Sequence, residues 1–248
     1  MTQVLLLGGT LDAHVLATQL QAAGVAATYS YAGVTRTRRT PPLPTRVGGF
    51  GGVQGLVQYL QAQRISHVID ATHPFAAQMS RNAIDACAAL GIPLLAMERP
   101  AWQALPGDQW LHVPDMDAAA RALTPQMPRV FLAIGRKQLA AFAPRAADHH
   151  FVLRVIDQTD EALPLPATSC ELLIARGPFA LDDERALLQR HAIDCIVSKN
   201  AGGADTYAKI EAARERGLPV IMVDRPLLPA RLRCEMPQQA MQWLTSQR

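Results

Sequence analysis

Val4-Leu5-Leu6-Leu7-Gly8-Gly9-Thr10-Leu11-Asp12-Ala13 is the stretch that decides the fold. Four apolar residues in a row, stopped by paired glycines and followed by a helical-period segment over about 11–23, predict a buried strand turning into a helix. Glycines at such a turn let backbone N–H groups approach an anion closely, and the helix N-terminus adds unpaired donors and partial positive charge. Gly8, Gly9 and Thr10 are therefore candidate phosphate-binding residues, Thr10 through its hydroxyl. The third glycine of a G-x-G-x-x-G fingerprint is missing. A tight turn closed by a Thr N-cap accounts for the same residues without a ligand.

Outward from this turn the same alternation repeats. Strands are expected at about 3–7, 26–31, 67–70 and 93–96, with helices at about 11–23, 53–63 and 75–90. The stretch Glu98 to Pro128 holds five prolines and reads as a connector, with a short strand Trp110–Val113 and a helix near 116–123. A second series opens at Val130–Ile134 and continues with strands near 151–156, 171–175, 193–197 and 219–223 and helices near 180–190 and 204–216. Apolar runs alternating with helical segments predict an α/β class with mainly parallel sheets. Two related lobes, 1–113 and 114–248, are the expected layout; one continuous sheet of eight or more strands is the alternative.

Composition narrows the partners. A net charge of +3 and 5% aromatic residues give no basic face interleaved with rings, which argues against nucleic acid. The opening apolar run ends after four residues without a basic flank, far short of a signal or membrane segment, so a cytoplasmic protein is expected. Cys87, Cys170, Cys195 and Cys234 are widely spaced with no C-x-x-C pair, so neither a disulfide framework nor a metal site is expected.

Further motifs fall at the ends of the expected strands. The second strand runs into Tyr29-Ser-Tyr-Ala-Gly-Val-Thr-Arg36-Thr-Arg38-Arg39, where dinucleotide folds that select NAD carry a carboxylate for the ribose. Here there is none, and Arg36 and Arg38 suit a 2′-phosphate, which points to NADPH; Arg46 lies nearby. Val47-Gly-Gly49-Phe-Gly-Gly52 has four glycines in five residues before a helix and reads as a loop able to wrap a ligand at Gly49, or as a hinge. Asp70-Ala-Thr72-His73-Pro-Phe75 ends another strand; Thr72 is a candidate cofactor contact and His73 a candidate acid/base. In the second half, Arg136, Arg176 and Ser198-Lys199-Asn200 follow strands and converge as anion-binding groups. Tyr207 and Lys209 have the wrong spacing for the Y-x-x-x-K of short-chain dehydrogenases, and no nucleophile motif supports a hydrolase.

Taken in order, Gly8-Gly9-Thr10, Arg46 to Gly52, Asp70 to Phe75, Arg176-Gly-Pro-Phe179, Ser198 to Gly203 and Thr206-Tyr-Ala-Lys209 resemble the precorrin-6A reductase family over about residues 3 to 226. Asp12 stands where many relatives have Glu, and Leu232 to Arg248 has no confident match. The resemblance implies two Rossmann-like domains with an interdomain cleft, and NADPH as the cofactor. It implies reduction of one double bond of a polycarboxylate tetrapyrrole, precorrin-6A to precorrin-6B, in cobalamin biosynthesis. It further implies Gly8, Gly9, Thr10, Arg36, Arg38, Thr72, Lys199 and Asn200 toward the cofactor. Gly49, Arg136, Arg176, Ser198 and Tyr207 fall toward the substrate, with His73 as a proton donor or positioning group and transient contact with neighbouring pathway enzymes. The residues by themselves equally allow an NADPH-dependent reductase of another conjugated small molecule, or a module that senses NADPH without turning it over.

Overall fold

The structure, a computed structural model, describes residues 2–33, 40–157 and 162–246. The chain begins with β1 (Gln3–Leu7), α1 (Leu11–Ala22), β2 (Ala26–Tyr31), β3 (Thr45–Val47), α2 (Gly52–Ala62), β4 (His67–Asp70), α3 (Ala77–Leu90) and β5 (Leu94–Met97). It continues with β6 (Gln109–Val113), α4 (Met116–Arg121), β7 (Arg129–Ala133), a 3-10 helix (Arg136–Arg145), β8 (His150–Val155) and β9 (Cys170–Ile174). Then come α5 (Leu181–Arg190), β10 (Cys195–Lys199), α6 (Ala208–Glu215), β11 (Pro219–Val223), β12 (Leu232–Cys234) and α7 (Pro237–Ser246).

Two six-stranded sheets form, in the orders β3-β2-β1-β4-β5-β12 and β9-β8-β7-β10-β11-β6, and every pairing is parallel. The single continuous sheet is thereby replaced by two. Because β1 is central, successive side chains face opposite layers and both are apolar. Val4 and Leu6 pack with Leu16, Leu20 and Leu244 on one side. Leu5 and Leu7 pack with Leu56, Leu60 and Ala83 on the other. A run of four hydrophobic residues is what a strand covered on both faces demands.

The division of the chain differs from the expected boundary at Val113. One unit comprises Met1–Pro100 with Leu227–Arg248, and the other Ala101–Pro226. The correction has two causes. Strand β6 pairs with β11 from Pro219↔Gln109 to Val223↔Val113, so Gln109–Val113 belong to the second sheet. The tail returns to the first unit, where β12 pairs with β5 and α7 buries Ala240 and Leu244 in the core containing Leu16 and Leu20.

Strand order in each sheet reverses at one place, between β1 and β4 in the first unit and between β7 and β10 in the second. Open parallel sheets bind ligands beyond the carboxyl ends of the strands at such a reversal. The glycine turn and the Asp70–His73 segment occupy that place in the first unit. In the second unit it is held by Arg136 and the loop after Lys199.

Candidate functional site

In the first unit the turn after β1 is tied down by its own fold. The Gly8 N–H donates to Ser30 O at 3.0 Å and the Gly9 N–H to the Tyr29 hydroxyl at 2.9 Å. The Thr10 hydroxyl donates to Ala71 O at 2.9 Å and accepts from the Ala13 N–H at 3.1 Å, so it is the N-cap of α1 and the bridge from β1 to β4. Gly8 is required by a neighbour: a Cβ there would lie 2.1 Å from Tyr29 Cζ. Gly9, at φ +125°, is exposed, with open space where a Cβ would project. All three residues therefore have structural duties, Gly9 through its N–H. What the turn presents outward is Gly9 and the first N–H groups of α1, at Leu11 and Asp12, which a helix leaves without intrahelical partners.

Tyr29 stacks beside Tyr31 with ring centroids 4.6 Å apart, and His14 of α1 lies 5.3 Å from Tyr29. The Tyr31 hydroxyl and His14 Nε2 are 3.2 Å apart. Burial pushes the Tyr29 phenol well above the ordinary tyrosine range, so it stays neutral and holds the turn as a hydrogen-bond acceptor. Arg36 and Arg38 lie outside the described residues. Arg46 folds over the Phe50 ring at 3.7 Å and donates to Ser30 Oγ, Gly48 O and Gly49 O at 2.9–3.0 Å. It thus shapes the glycine loop through the Gly49 carbonyl.

At the end of β4 the Asp70 carboxylate is fully engaged. One oxygen accepts from the Thr72 N–H at 3.2 Å and the Thr72 hydroxyl at 2.7 Å, the other from Ser80 Oγ at 2.6 Å and Arg231 Nη1 at 2.7 Å. Arg231 also reaches Glu98 at 3.1 Å. Thr72 accordingly spends its hydroxyl hydrogen on Asp70. His73 is exposed, and its Nδ1 accepts from the Phe75 N–H at 3.1 Å, which places the ring proton on Nε2. Arg231, absent from the sequence-based candidates, is the residue that balances this strand end.

In the second unit Ser198 is buried in β10, its hydroxyl donating to Lys199 O at 3.3 Å. The Asn200 side chain clamps a neighbouring backbone: Oδ1 accepts from the Trp102 N–H at 2.7 Å and Nδ2 donates to Trp102 O at 3.0 Å. Lys199 is half-buried, and desolvation draws its ammonium pKa down to about 8. Arg136 follows β7, the strand that pairs with β10, and Arg176 lies beyond β9 with Asp157 at 3.7 Å. The Tyr207 hydroxyl accepts from Arg214. Arg136 and Lys199 thus lie at the ends of adjacent strands, while the Asn200 side chain bonds the Trp102 backbone.

The precorrin-6x reductase CbiJ/CobK family matches residues 3–245. The chain belongs to that family. It is 53% identical to the precorrin-6A reductase of Rhodobacter capsulatus, over 98% of this chain and 96% of that protein. A solved structure of CobK precorrin-6A reductase superposes with a TM-score of 0.93 at 51% identity, covering 99% of this chain and 97% of that one. The cobalt-precorrin-6A reductase of Priestia megaterium is 30% identical over 90% of each chain. As a family member the chain is an oxidoreductase of cobalamin biosynthesis, with the two parallel-sheet α/β domains described above.

One further motif residue of the family resemblance, Lys209, is buried in the second unit. Its Nζ donates to Thr206 O and stands 4.7 Å from the Trp102 ring centroid. Burial pulls its pKa down to about 7, the Arg154 charge acts in the same direction, and Glu184 opposes them. An unfolded lysine titrates near ~10.4, so between about 7 and that value the unfolded chain binds more protons and stability rises with pH. Below that window both states are protonated and the penalty is full. Lys209→Met should therefore stabilise the protein at pH 7 by on the order of 2 kcal/mol and lose most of that advantage at about pH 10. Urea unfolding at the two pH values checks this; a methionine variant less stable at pH 7 would show that the ammonium's bonds outweigh its desolvation.

Proposed function

We propose that this reductase uses NADPH to reduce one double bond of precorrin-6A, giving precorrin-6B, with the dinucleotide held by the first unit. The observation that carries the cofactor reading is the chain between Ser30 and Val47. It holds no Asp or Glu at the place where a carboxylate would take the ribose hydroxyl of NAD, but it holds several arginines. The turn fits a pyrophosphate: Gly9 is exposed, its missing side chain leaves open space, and the N-terminus of α1 lies at the reversal of strand order. Bound NADPH supplies the hydride.

The protein's own groups supply charge, orientation and a proton. Lys199, which the resemblance puts toward the cofactor, is reassigned in this proposal to a carboxylate arm of the macrocycle, because it lies in the second unit with Arg136. With a pKa of about 8 it is mostly protonated at neutral pH, and its half-buried position strengthens that attraction. Arg136, beyond the neighbouring strand β7, is the proposed second cation for these arms, and Arg176, beyond β9, is proposed for a separate carboxylate of the substrate. His73, exposed and with Nδ1 held by the Phe75 N–H, is the proposed donor: its Nε2 takes up a proton from solvent and passes it to the reduced ring, returning to the neutral imidazole. The high identity to a precorrin-6A reductase, against 30% to a cobalt-precorrin-6A reductase, favours the metal-free macrocycle.

The test is to mix purified protein, NADPH and metal-free precorrin-6A and follow the macrocycle spectrum together with the nicotinamide absorbance. Coupled changes in both support the reaction, and NADPH binding without oxidation would leave a sensing module instead. In the same assay, Arg36→Ala combined with Arg38→Ala should raise the NADPH KM by about tenfold or more and leave NADH use nearly unchanged. Equal loss with both cofactors would remove the 2′-phosphate assignment.

A further inference from the structure

The loop from Ser198 to Gly203 bends through two glycines at positive φ, Gly202 at +73° and Gly203 at +74°. Glycine loses more conformational freedom on ordering than any other residue, so such a loop stays in one shape only when something outside it holds it. Trp102, only 8% exposed and 98 positions away in sequence from Asn200, does so at both ends. Its backbone N–H and C=O are both taken by the Asn200 side chain, and its indole Nε1–H donates to Gly203 O at 2.7 Å. Its ring is closed by Lys209 at 4.7 Å and by the edge of Tyr207 at 5.6 Å. Arg225 secures the middle of the loop, donating to Asn200 O at 2.9 Å and Ala201 O at 3.0 Å.

Lys199 stands at the last position of β10, immediately before the clamped segment. We propose that Trp102 is a positioning residue: its three hydrogen bonds to Asn200 and Gly203 fix the loop after β10 and thereby aim Lys199 at an anionic arm of the substrate. The role rests on the assignment of Lys199 to the macrocycle made above. The site asks for tryptophan in particular. Phenylalanine keeps the ring and the backbone clamp but has no donor for Gly203 O, and no aliphatic side chain offers a ring face to the Lys209 ammonium.

The experiment uses the full chain with Trp102→Phe, Asn200→Ala and Lys199→Gln, and with each of the first two combined with the third. Asn200→Ala removes the two bonds to the Trp102 backbone that Trp102→Phe leaves in place, and serves if Trp102→Phe does not fold. Without ligand, amide exchange across 200–203 should accelerate by about tenfold in either variant while β7 and β10 keep their protection. With NADPH and precorrin-6A, KM for the macrocycle should rise about fivefold with kcat within about twofold, and neither variant should raise KM further in the Lys199→Gln background. Unchanged exchange overturns the proposal, as does a KM effect that multiplies with that of Lys199→Gln. If Lys199→Gln alone leaves KM unchanged, the assignment of Lys199 to the substrate fails and takes the catalytic part of the Trp102 role with it, even where the exchange result shows the clamp itself.

Discussion

Replacing Arg231 with alanine should lower the stability of the first unit by about 3–5 kcal/mol, because it strands a buried carboxylate. Asp70 is about 1% exposed at its side chain and Arg231 8%, and the guanidinium spans Asp70 and Glu98 together. Thr72 and Ser80 would still donate to Asp70, but neutral donors do not cancel its charge. Arg231→Lys should recover little, since one ammonium cannot reproduce a fork reaching two carboxylates. Exposed Arg233, two residues on, is the control and should change stability by less than about 0.5 kcal/mol. The two units need not unfold together, so the measurement is urea denaturation followed with a probe in each. A loss below about 1 kcal/mol in the first unit would show that Asp70 relies on its hydroxyl partners instead.

Gly8→Ala carries the second large effect. A methyl group 2.1 Å from Tyr29 Cζ cannot be accommodated by a small shift. The tyrosine must leave its place, giving up its bond to the Gly9 N–H and its contacts with Tyr31 and His14. The expected cost is about 3 kcal/mol or more, comparable to overpacking combined with the loss of a buried aromatic. In a Tyr29→Ala background the same substitution should cost less than about 1 kcal/mol, since the obstructing ring is gone. If Gly8 were there for a phosphate, Gly8→Ala would fold normally and lose cofactor binding alone, and the background would make no difference.

Much of the architecture was legible because it is written locally. Strands such as β1, β7 and β11 read as apolar runs, and helices such as α2, α3 and α5 carry a clear 3.6-residue period. The elements missed are the 3-10 helix (Arg136–Arg145), α7 (Pro237–Ser246) and two short strands, and the strands signal nothing by themselves. Strand β3 is Thr45-Arg46-Val47 and β12 is Leu232-Arg233-Cys234, three residues each and mostly exposed, and their strand character comes from the partner edge that pairs with them.

The candidate site divides the same way. The glycine turn, the Asp70–His73 strand end and the Ser198–Gly203 loop were found from strand-end motifs. Their internal reasons were not, because those reasons are polar pairs between distant positions: Gly9 with Tyr29, Asn200 with Trp102, Asp70 with Arg231 161 residues away. A hydrogen bond of that separation leaves no periodicity, spacing or compositional trace. Gly8 and Asn200 look like ligand residues in sequence for this reason, and in the structure they answer to a tyrosine ring and a tryptophan backbone.

Because the first unit is assembled from 1–100 and 227–248, its sheet has an order of completion imposed by synthesis. On the ribosome the second unit, one uninterrupted stretch, emerges entire while β5 still waits with an open edge and the core around Leu16 lacks Leu244. Unpaired edges are where nascent chains associate wrongly. The segment 227–248, translated after the second unit, is thus the one that seals the first.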